Sequence, residues 1–175
     1  LQALFSAACS SFNETLGYIW TMGKSNIFIP TGDSELRQDI CGQVFDDNAF
    51  YLGKATGHAG LMGTLPGVCQ WWGAYQDSLS HLTQQRLFKV HTAADGSTHA
   101  IGWDLPTKNS SAGELASSAA RGHMGYTGTS LWYDPTCKTM VVTLTNRTYC
   151  QTSKKQMLGF RQNLHNNIWR LYDKS

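Results

Sequence analysis

Two stretches of the chain carry apolar residues at the spacing of an α-helix, and each predicts an amphipathic helix. The first follows Thr64, a residue type that caps helix N-termini, and Pro66, which suits the first helical turn. The second closes the chain. The predicted apolar faces are Val68, Trp71, Trp72, Tyr75 and Leu79 in the first helix, and Met157, Phe160, Leu164, Ile168 and Leu171 in the second.

A β-hairpin is predicted between these helices. Residues 129–133 run into Asp134-Pro135-Thr136-Cys137, a turn with proline at a favoured position, and the apolar run 140–144 follows. Because this run does not alternate with polar residues, we expect the second strand to be buried on both faces. The final helix is expected to lie across the sheet. A shorter apolar group, residues 101–103, predicts a further short strand.

The rest of the chain lacks a regular pattern. Residues 1–8 are apolar and predict the end of a helix, whereas residues 10–39 are rich in Gly, Ser, Thr and Asn and predict an extended loop. Residues 53–63 contain four glycines around His58. Glycine permits positive φ and a close approach of other backbone.

Composition narrows the class of protein. The chain has 175 residues, 41% of them hydrophobic and 15% charged, which is ordinary for a folded globular protein. A net charge of +2 without a basic cluster gives no case for nucleic acid, and no apolar run is long enough to span a membrane. Residues 1–5 have neither an initiator Met nor the basic start of a signal peptide, so we expect the chain to begin within a larger protein.

Neither cysteines nor histidines are spaced as metal ligands, and the sequence has no P-loop and no dinucleotide fingerprint, so we expect no metal and no organic cofactor. The cysteines (Cys9, Cys41, Cys69, Cys137 and Cys150) are expected to be small buried hydrophobic residues, with one or two disulfides as the alternative. The Trp71-Trp72 pair is interpreted either as part of the hydrophobic core or, more specifically, as a platform on which a sugar could stack. Helical spacing favours the core.

The segment that carries chemistry is Gly122-His123-Met124-Gly125-Tyr126-Thr127-Gly128-Thr129-Ser130-Leu131-Trp132, at the entry to the hairpin. A polar side chain followed by a strand edge of small residues suits the side of an acyl-transfer site that faces the nucleophile. His123 could polarise or shuttle a proton, and the Tyr126 N–H could donate to an oxyanion. By itself the pattern is more typical of a strand bulge with a satisfied histidine.

The same segment, with Asp134-Pro135 and the following Val141-Val142-x-Leu144-Thr145-Asn146-Arg147, resembles the third sequence box and next strand of class C β-lactamase-like serine hydrolases. That family contains β-lactamases, D-Ala-D-Ala carboxypeptidases and esterases, and its box reads Lys-Thr-Gly or His-Thr-Gly. Three further stretches agree in order. They are residues 44–49, residues 57–64, and Gly102-Trp103-Asp104-Leu105-Pro106 with Ser110-Ser111-Ala112-Gly113.

The resemblance implies a role for four residues. His123 stands where the family has its Lys or His, and Tyr126 would supply the second oxyanion-hole N–H, which makes these two the catalytic candidates. Gly125 occupies the glycine of the box, and Gly125 and Thr127 are the candidates for substrate binding. Met124 replaces the usual Thr and removes a hydroxyl that normally faces substrate, which argues against ordinary recognition of the β-lactam carboxylate.

Two other boxes of the family are missing. Its nucleophile and base lie in Ser-x-x-Lys, and a second proton-transfer group lies in Tyr-x-Asn, but the sequence contains neither. Residues 11–13 match Ser-x-Asn only in form. Since a serine without an adjacent base is a poor nucleophile, we expect the chain alone to be inactive. The resemblance thus implies that residues 1–175 form a single partial domain, the C-terminal half of a β-lactamase-like domain.

The implied fold is α+β and β-lactamase/transpeptidase-like, with an antiparallel sheet from about Gly122 to Asn146 covered by helices. The implied parent is a serine hydrolase of the bacterial periplasm or cell envelope, acting on a peptide, β-lactam or ester. Its N-terminal half would come from the same precursor or from a second chain. One alternative is a catalytically inactive binding or structural module with the same fold, favoured by Met124. Another is a carbohydrate-binding domain, suggested only by the Trp and Tyr content.

Overall fold

A computed structural model describes residues 28–53 and 56–172, together with the backbone of residues 18–20. The helix end predicted in residues 1–8 and the Ser-x-Asn match at 11–13 lie outside these residues, as does much of the predicted loop 10–39. The chain divides into two compact units, Leu1–Leu79 with Thr148–Gln151 and Ser80–Arg147 with Thr152–Ser175. The predicted α+β class with antiparallel sheets is confirmed.

Where the structure describes the first unit, it contains two strands and two helices. Strand β1 (Tyr18–Trp20) pairs antiparallel with β2 (Leu61–Gly63). Helix α1 spans Asp47–Tyr51, and helix α2 spans Leu65–Ser78. Strand β2 was not predicted, because its sequence belongs to a glycine-rich stretch that resembles a loop.

Helix α2 confirms the first predicted helix. The Thr64 side chain accepts a hydrogen bond from the backbone N–H of Gly67 at 3.2 Å, as an N-cap does. Trp71, Trp72 and Tyr75 are only 7%, 3% and 7% exposed, so the aromatic pair belongs to the core. The sugar-stacking interpretation is wrong, since neither indole offers a free face of useful size.

The second unit holds the other elements. These are α3 (His81–Phe88), β3 (His91–Thr92), β4 (Thr98–His99), β5 (Arg121–Met124), β6 (Ser130–Asp134), β7 (Thr139–Thr143) and α4 (Lys154–Tyr172). Strands β3 and β4 form a small antiparallel hairpin. Strands β5, β6 and β7 form an antiparallel sheet in that order, which confirms the predicted hairpin.

Two details of the predicted strands are wrong. Strand β7 buries Val141 and Thr143, but Met140 and Val142 on its other face are only half-buried, so the strand is covered fully on one face. Residues 101–103 do not form a strand. They make a turn closed by a hydrogen bond from the Ala100 N–H to the Trp103 carbonyl at 3.0 Å.

Helix α4 confirms the closing helix, but its buried face agrees with the predicted one only at Met157, while the predicted Leu164 and Ile168 are half-buried. The buried residues are Met157, Arg161, His165 and Trp169, at intervals of four. Phe160 and Leu171, which were expected inside, are 48% and 69% exposed. The helix is rotated so that two polar side chains face the sheet, because each finds hydrogen-bond partners there.

The core of the second unit forms where α4 meets the sheet. Trp132 is fully buried, and its indole N–H donates to Ser111 Oγ at 3.0 Å. Trp169 of α4 is 3% exposed and donates to the Ala112 carbonyl at 2.8 Å. The loop that precedes β5 is thereby held against both sheet and helix, which fixes the position from which β5 starts.

Within the part of the chain that the structure describes, no helix is long and apolar enough to cross a membrane. No group of three or more His, Cys, Asp or Glu side chains that could hold a metal ion occurs among those residues either. The prediction that the cysteines are buried is wrong for Cys69 and Cys150, which are exposed, while Cys41 and Cys137 are half-buried. Cys9 lies outside the described residues.

Candidate active site

The candidate site lies at the edge of the three-stranded sheet. Strand β5 pairs with β6 along one side. On its other side it is held at a single point, where Gly122 and Asp104 exchange backbone hydrogen bonds of 2.7 and 3.3 Å. Beyond Gly122 the outer edge of β5 is not part of a sheet in the described chain. An edge of this kind is where an extended ligand can align with a strand.

His123 follows Gly122 and faces Asp104 across this bridge. Its Nδ1 lies 3.4 Å from Asp104 Oδ2, and the two side chains are 64% and 44% exposed. The hydrogen bond that His123 donates to the Asp104 carboxylate, against a smaller effect of burial, raises the pKa of His123 above its ordinary value. A carboxylate can only accept, so Nδ1 carries the proton in this pair. This leaves Nε2 to exchange its own proton with a ligand.

Sequence reasoning missed Asp104. The residue was noted only as part of a stretch that resembles the family, nineteen positions before His123. No local spacing connects the two, because the backbone bridge at Gly122 brings them together. The distance of 3.4 Å between Nδ1 and Oδ2 is longer than that of an ordinary N–H···O hydrogen bond, so Asp104 orients the ring loosely.

Met124 ends strand β5, and Gly125 follows it. Met124 is 42% exposed, so the side chain that replaces the family's Thr is available at the surface. Gly125 is half-buried, and its position leaves no room for a Cβ because the Thr129 side chain fills that space. Packing against Thr129 therefore requires a glycine at this position, whether or not a substrate also lies close to it.

The turn after β5, residues 125–129, has every carbonyl satisfied. Arg161 Nη2 donates to the carbonyls of Gly125 and Thr129 at 3.2 and 2.7 Å. Arg147 reaches the next two carbonyls, donating from Nε to Tyr126 at 2.8 Å and from its backbone N–H to Thr127 at 2.7 Å. The hydroxyl of Thr145 donates to the Gly128 carbonyl at 2.7 Å. The turn is thus fixed by groups from outside it.

The fixed turn positions two predicted site residues. Tyr126 is 60% exposed, and Thr127 is half-buried. Together with His123 and Gly125 they lie within residues 123–127, so the four candidates are close together because they are neighbours in sequence. A backbone that does not have to reorganise is the property an oxyanion-hole donor needs.

A second histidine–carboxylate pair lies in the first unit. His58 Nε2 is 3.1 Å from Asp46 Oδ1, and the side chains are 55% and 40% exposed. Asp46 also caps α1, since the same oxygen accepts from the Ala49 N–H at 2.8 Å. This backbone hydrogen bond is the main reason that the pKa of Asp46 is below its ordinary value, and His58 contributes. The pair joins two of the stretches that resemble the family.

One small cleft in the second unit does not include these residues. Its volume is about 210 Å³, and it is lined by polar side chains, among them Lys108, Ser110, Glu114 and Gln162. Neither His123 nor Tyr126 lines it. The candidate site therefore does not belong to this cleft.

Comparison with known proteins gives similarity to two kinds of named relative. The chain is 32% identical over 128 residues to a protein of Escherichia coli K12 named "Putative D-alanyl-D-alanine carboxypeptidase", covering 67% of this chain and 29% of that protein. It is 36% identical over 117 residues to the "N-acetylmuramyl-L-alanine amidase" of Bacillus subtilis, covering 61% of this chain and 26% of that protein. Both names denote hydrolysis of an amide bond.

The chain spans less than a third of the length of these relatives. No family model matches it, and no solved structure matches it. The similarity supports a loose relationship to the penicillin-binding and β-lactamase-like hydrolases, in agreement with the resemblance that the residues around His123 carry.

Proposed function

We propose that this chain supplies the sheet-edge side of a serine acyl-transfer site of the β-lactamase and penicillin-binding type. The observation that carries the proposal is the arrangement of His123 beside Asp104 at the open edge of β5, directly before a turn with a fixed backbone. The sequence similarity to proteins named as a carboxypeptidase and an amidase agrees with it.

Within such a site each residue has one task. His123, whose pKa is raised by the Asp104 carboxylate, would pass a proton to or from the reacting groups. The Tyr126 N–H would donate to the developing oxyanion. Gly125 and Thr127 would lie along the bound substrate, which would align with the edge of β5. No metal or organic cofactor is needed for these steps.

The nucleophile must come from polypeptide other than these 175 residues, because neither Ser-x-x-Lys nor Tyr-x-Asn occurs in them. The proposed partner is the N-terminal half of the same β-lactamase-like domain, from the same precursor or a second chain. The chain alone would therefore not perform acyl transfer. The proposed substrates are peptides, β-lactams or esters, and the proposed location is the bacterial periplasm or cell envelope.

One observation favours a second candidate, a catalytically inactive module with the same fold. Met124 stands where the family has a hydroxyl that faces substrate, and its side chain is exposed at that edge. A module of this kind would retain the strand edge as a binding surface without a working nucleophile.

Labelling with an activity probe separates the two candidates. The gene product that contains this sequence, isolated from its source cells, is treated with a fluorescent β-lactam and with a fluorophosphonate. Covalent labelling of that product or of a tightly bound partner, slowed by at least tenfold in His123→Ala, is expected for the acyl-transfer site. A folded gene product that takes up neither probe would contradict the enzyme and leave the inactive module.

A further inference from the structure

Two histidines face each other across the small hairpin of the second unit. His91 of β3 and His99 of β4 are direct partners in the antiparallel register. Their ring centroids lie 6.1 Å apart, and the ring planes are inclined by 25°. Direct cross-strand partners leave a sheet on the same face, with their Cβ atoms about 5 Å apart. The hairpin therefore joins two side chains that the sequence keeps apart.

The turn of the hairpin sets this pairing. The Ala93 N–H donates to the Ser97 carbonyl at 2.8 Å, and the Gly96 N–H donates to the Ala93 carbonyl at 3.0 Å. Gly96 has a φ of 81°, the left-handed conformation that closes a three-residue hairpin loop. Motifs that indicate metal ligands count short separations along the chain, so sequence spacing alone did not reveal a pair formed in this way.

The pair lacks the polar partners that other histidines of the chain have. His58 and His123 each face a carboxylate, and His165 is hydrogen-bonded to a backbone carbonyl. In the part of the chain that the structure describes, neither His91 nor His99 has a carboxylate within 4.0 Å. Nε2 of His91 is also buried there without a hydrogen-bond partner. A buried nitrogen in this state is unfavourable unless a ligand joins it.

A carboxylate in the turn favours a cation near the pair. Asp95 accepts hydrogen bonds from the Ser97 hydroxyl at 2.7 Å and from the Ser97 N–H at 2.9 Å. These bonds are the main reason that the pKa of Asp95 is below its ordinary value, and the charge of His99 contributes. The ionised carboxylate therefore adds negative potential beside His99.

We propose that His91 and His99 form a two-histidine site for a divalent transition-metal ion that prefers imidazole, such as Zn²⁺, with water in its other coordination positions. Zinc–nitrogen bonds of about 2.0–2.1 Å place two ligand nitrogens about 3–4 Å apart. Rotation about the side-chain bonds, without movement of the strands, would bring one nitrogen of each ring to that separation.

The ion would join β3 to β4, each of which is only two residues long. So short a ladder contributes little stability by itself, and a bound ion would add to it. The site uses none of the residues of the proposed acyl-transfer site. It can therefore be present whether or not the chain belongs to an enzyme.

Protection of the histidine rings from chemical modification tests the site in the whole gene product that contains this sequence. The product is incubated with increasing concentrations of Zn²⁺, treated briefly with diethyl pyrocarbonate, which modifies free imidazole, and digested with trypsin. No Lys or Arg lies between Lys89 and Lys108, so residues 90–108 form one tryptic peptide. Fragmentation of this peptide by mass spectrometry distinguishes modification of His91 from that of His99.

We expect both histidines to become protected at one midpoint concentration of Zn²⁺, because one ion binds both rings. His81, an exposed residue of α3, is the internal control. A single ring lacks the second ligand, so protection of His81 should need at least about tenfold more Zn²⁺. Mg²⁺ at the same concentrations should protect neither His91 nor His99, since it prefers oxygen ligands.

Three variants make the test specific. His99→Gln removes one ligand and keeps a polar side chain, so the midpoint for protection of His91 should rise at least about tenfold. His91→Gln should raise the midpoint for His99 in the same way. His81→Gln is the matched control and should leave both midpoints unchanged. Circular dichroism spectra equal to that of the parent show that the variants are folded.

Three results would overturn the proposal and leave weak surface binding only. They are separate midpoints for His91 and His99, protection of His81 at the same Zn²⁺ concentration, and unchanged protection of His91 in folded His99→Gln. The first two are measured on the parent protein, so they decide the question even if a variant fails to fold. None of these results bears on acylation by the β-lactam probe.

Discussion

The indole ring of Trp132 lies directly against the backbone of Gly122 and occupies the space where a Cβ would be. These residues are cross-strand partners of β5 and β6. Gly122 also exchanges the backbone hydrogen bonds that hold Asp104 at the sheet edge. The packing of one buried tryptophan is therefore connected to the position of the His123–Asp104 pair.

Gly122→Ala is expected to destabilise the chain by about 1–3 kcal/mol, since the added methyl group has no room in a packed core. The measurement is the free energy of unfolding in urea. Gly159→Ala is the control, because nothing lies within 4 Å of the position of its Cβ and it belongs to helix α4. That change should be neutral or stabilise by up to about 1 kcal/mol. Equal effects of the two substitutions would contradict this account of Gly122.

Local sequence patterns predicted which segments form helices and strands, whereas tertiary contacts determined which face of α4 is buried. Helix α2 and the β6–β7 hairpin follow from apolar spacing and turn residues within one stretch of chain, and both are confirmed. The buried face of α4 was mispredicted because Arg161 and His165 are held by carbonyls of residues far away in sequence. Apolar periodicity has no means of anticipating partners of that kind.

In the candidate site, too, the local sequence predicted some residues and the structure revealed another. His123, Gly125, Tyr126 and Thr127 are contiguous, so one motif was enough to predict all four as a group. Asp104 reaches His123 only through the bridge to Gly122, and nothing in its own neighbourhood indicates a partner. Its role had to come from the structure.

Asp104→Asn is expected to lower the pKa of His123, because the negative charge that favours the imidazolium is lost while the shape is kept. The pKa is measured by NMR titration of the histidine ring protons. A raised folded-state pKa contributes stability that is present below the ordinary value and is lost as pH rises through the folded value. With the ring 64% exposed, we expect that stability to be small.

The control for this titration is Asp77→Asn, which removes an exposed carboxylate from α2, in the other unit. The His123 titration should not respond to it. An unchanged titration in Asp104→Asn would show that the 3.4 Å contact is not maintained in solution, and Asp104 would then lose its role in orienting His123.

Asp134→Ala is expected to cost about 1–3 kcal/mol of unfolding free energy, because it removes a buried carboxylate that accepts three hydrogen bonds and leaves their donors without this acceptor. Asp134 is 3% exposed and accepts from the Ser117 N–H and hydroxyl at 2.8 and 2.7 Å and from the Thr136 N–H at 2.9 Å. Burial alone would raise the pKa of Asp134, but these hydrogen bonds outweigh it and hold the pKa below its ordinary value.

Because the pKa of Asp134 is lowered in the folded chain, the ionised carboxylate stabilises the fold above the ordinary carboxyl pKa. This stabilisation is lost as the pH falls through the pKa of the folded state. Ser117→Ala should cost less than Asp134→Ala, because it removes one donor and leaves the other bonds of the carboxylate intact. Unfolding curves at pH 7 and at pH 2.5, below the ordinary carboxyl pKa, test both points. A larger loss in Ser117→Ala than in Asp134→Ala would show that the carboxylate does not organise this turn.

His165 is expected to make the chain less stable in mild acid. The residue is completely buried, and its Nδ1 donates to the Ser111 carbonyl at 2.6 Å, while the Thr143 hydroxyl lies 3.4 Å from Nε2. Burial, opposed by the bond to Ser111 and reinforced by the charge of Arg161, lowers the pKa of His165. The folded chain therefore keeps this ring neutral at a pH where the unfolded chain binds a proton.

Stability is consequently lost as pH falls below the ordinary histidine value near 6.5, by at most about 1.4 kcal/mol per pH unit. His165→Asn keeps a donor for the Ser111 carbonyl but cannot titrate, so its unfolding free energy should fall less between pH 7.5 and pH 5.5 than that of the parent chain. His81→Asn removes an exposed histidine from α3 and should retain the parent's dependence. If His165→Asn and the parent lose the same free energy over this range, the acid sensitivity arises elsewhere.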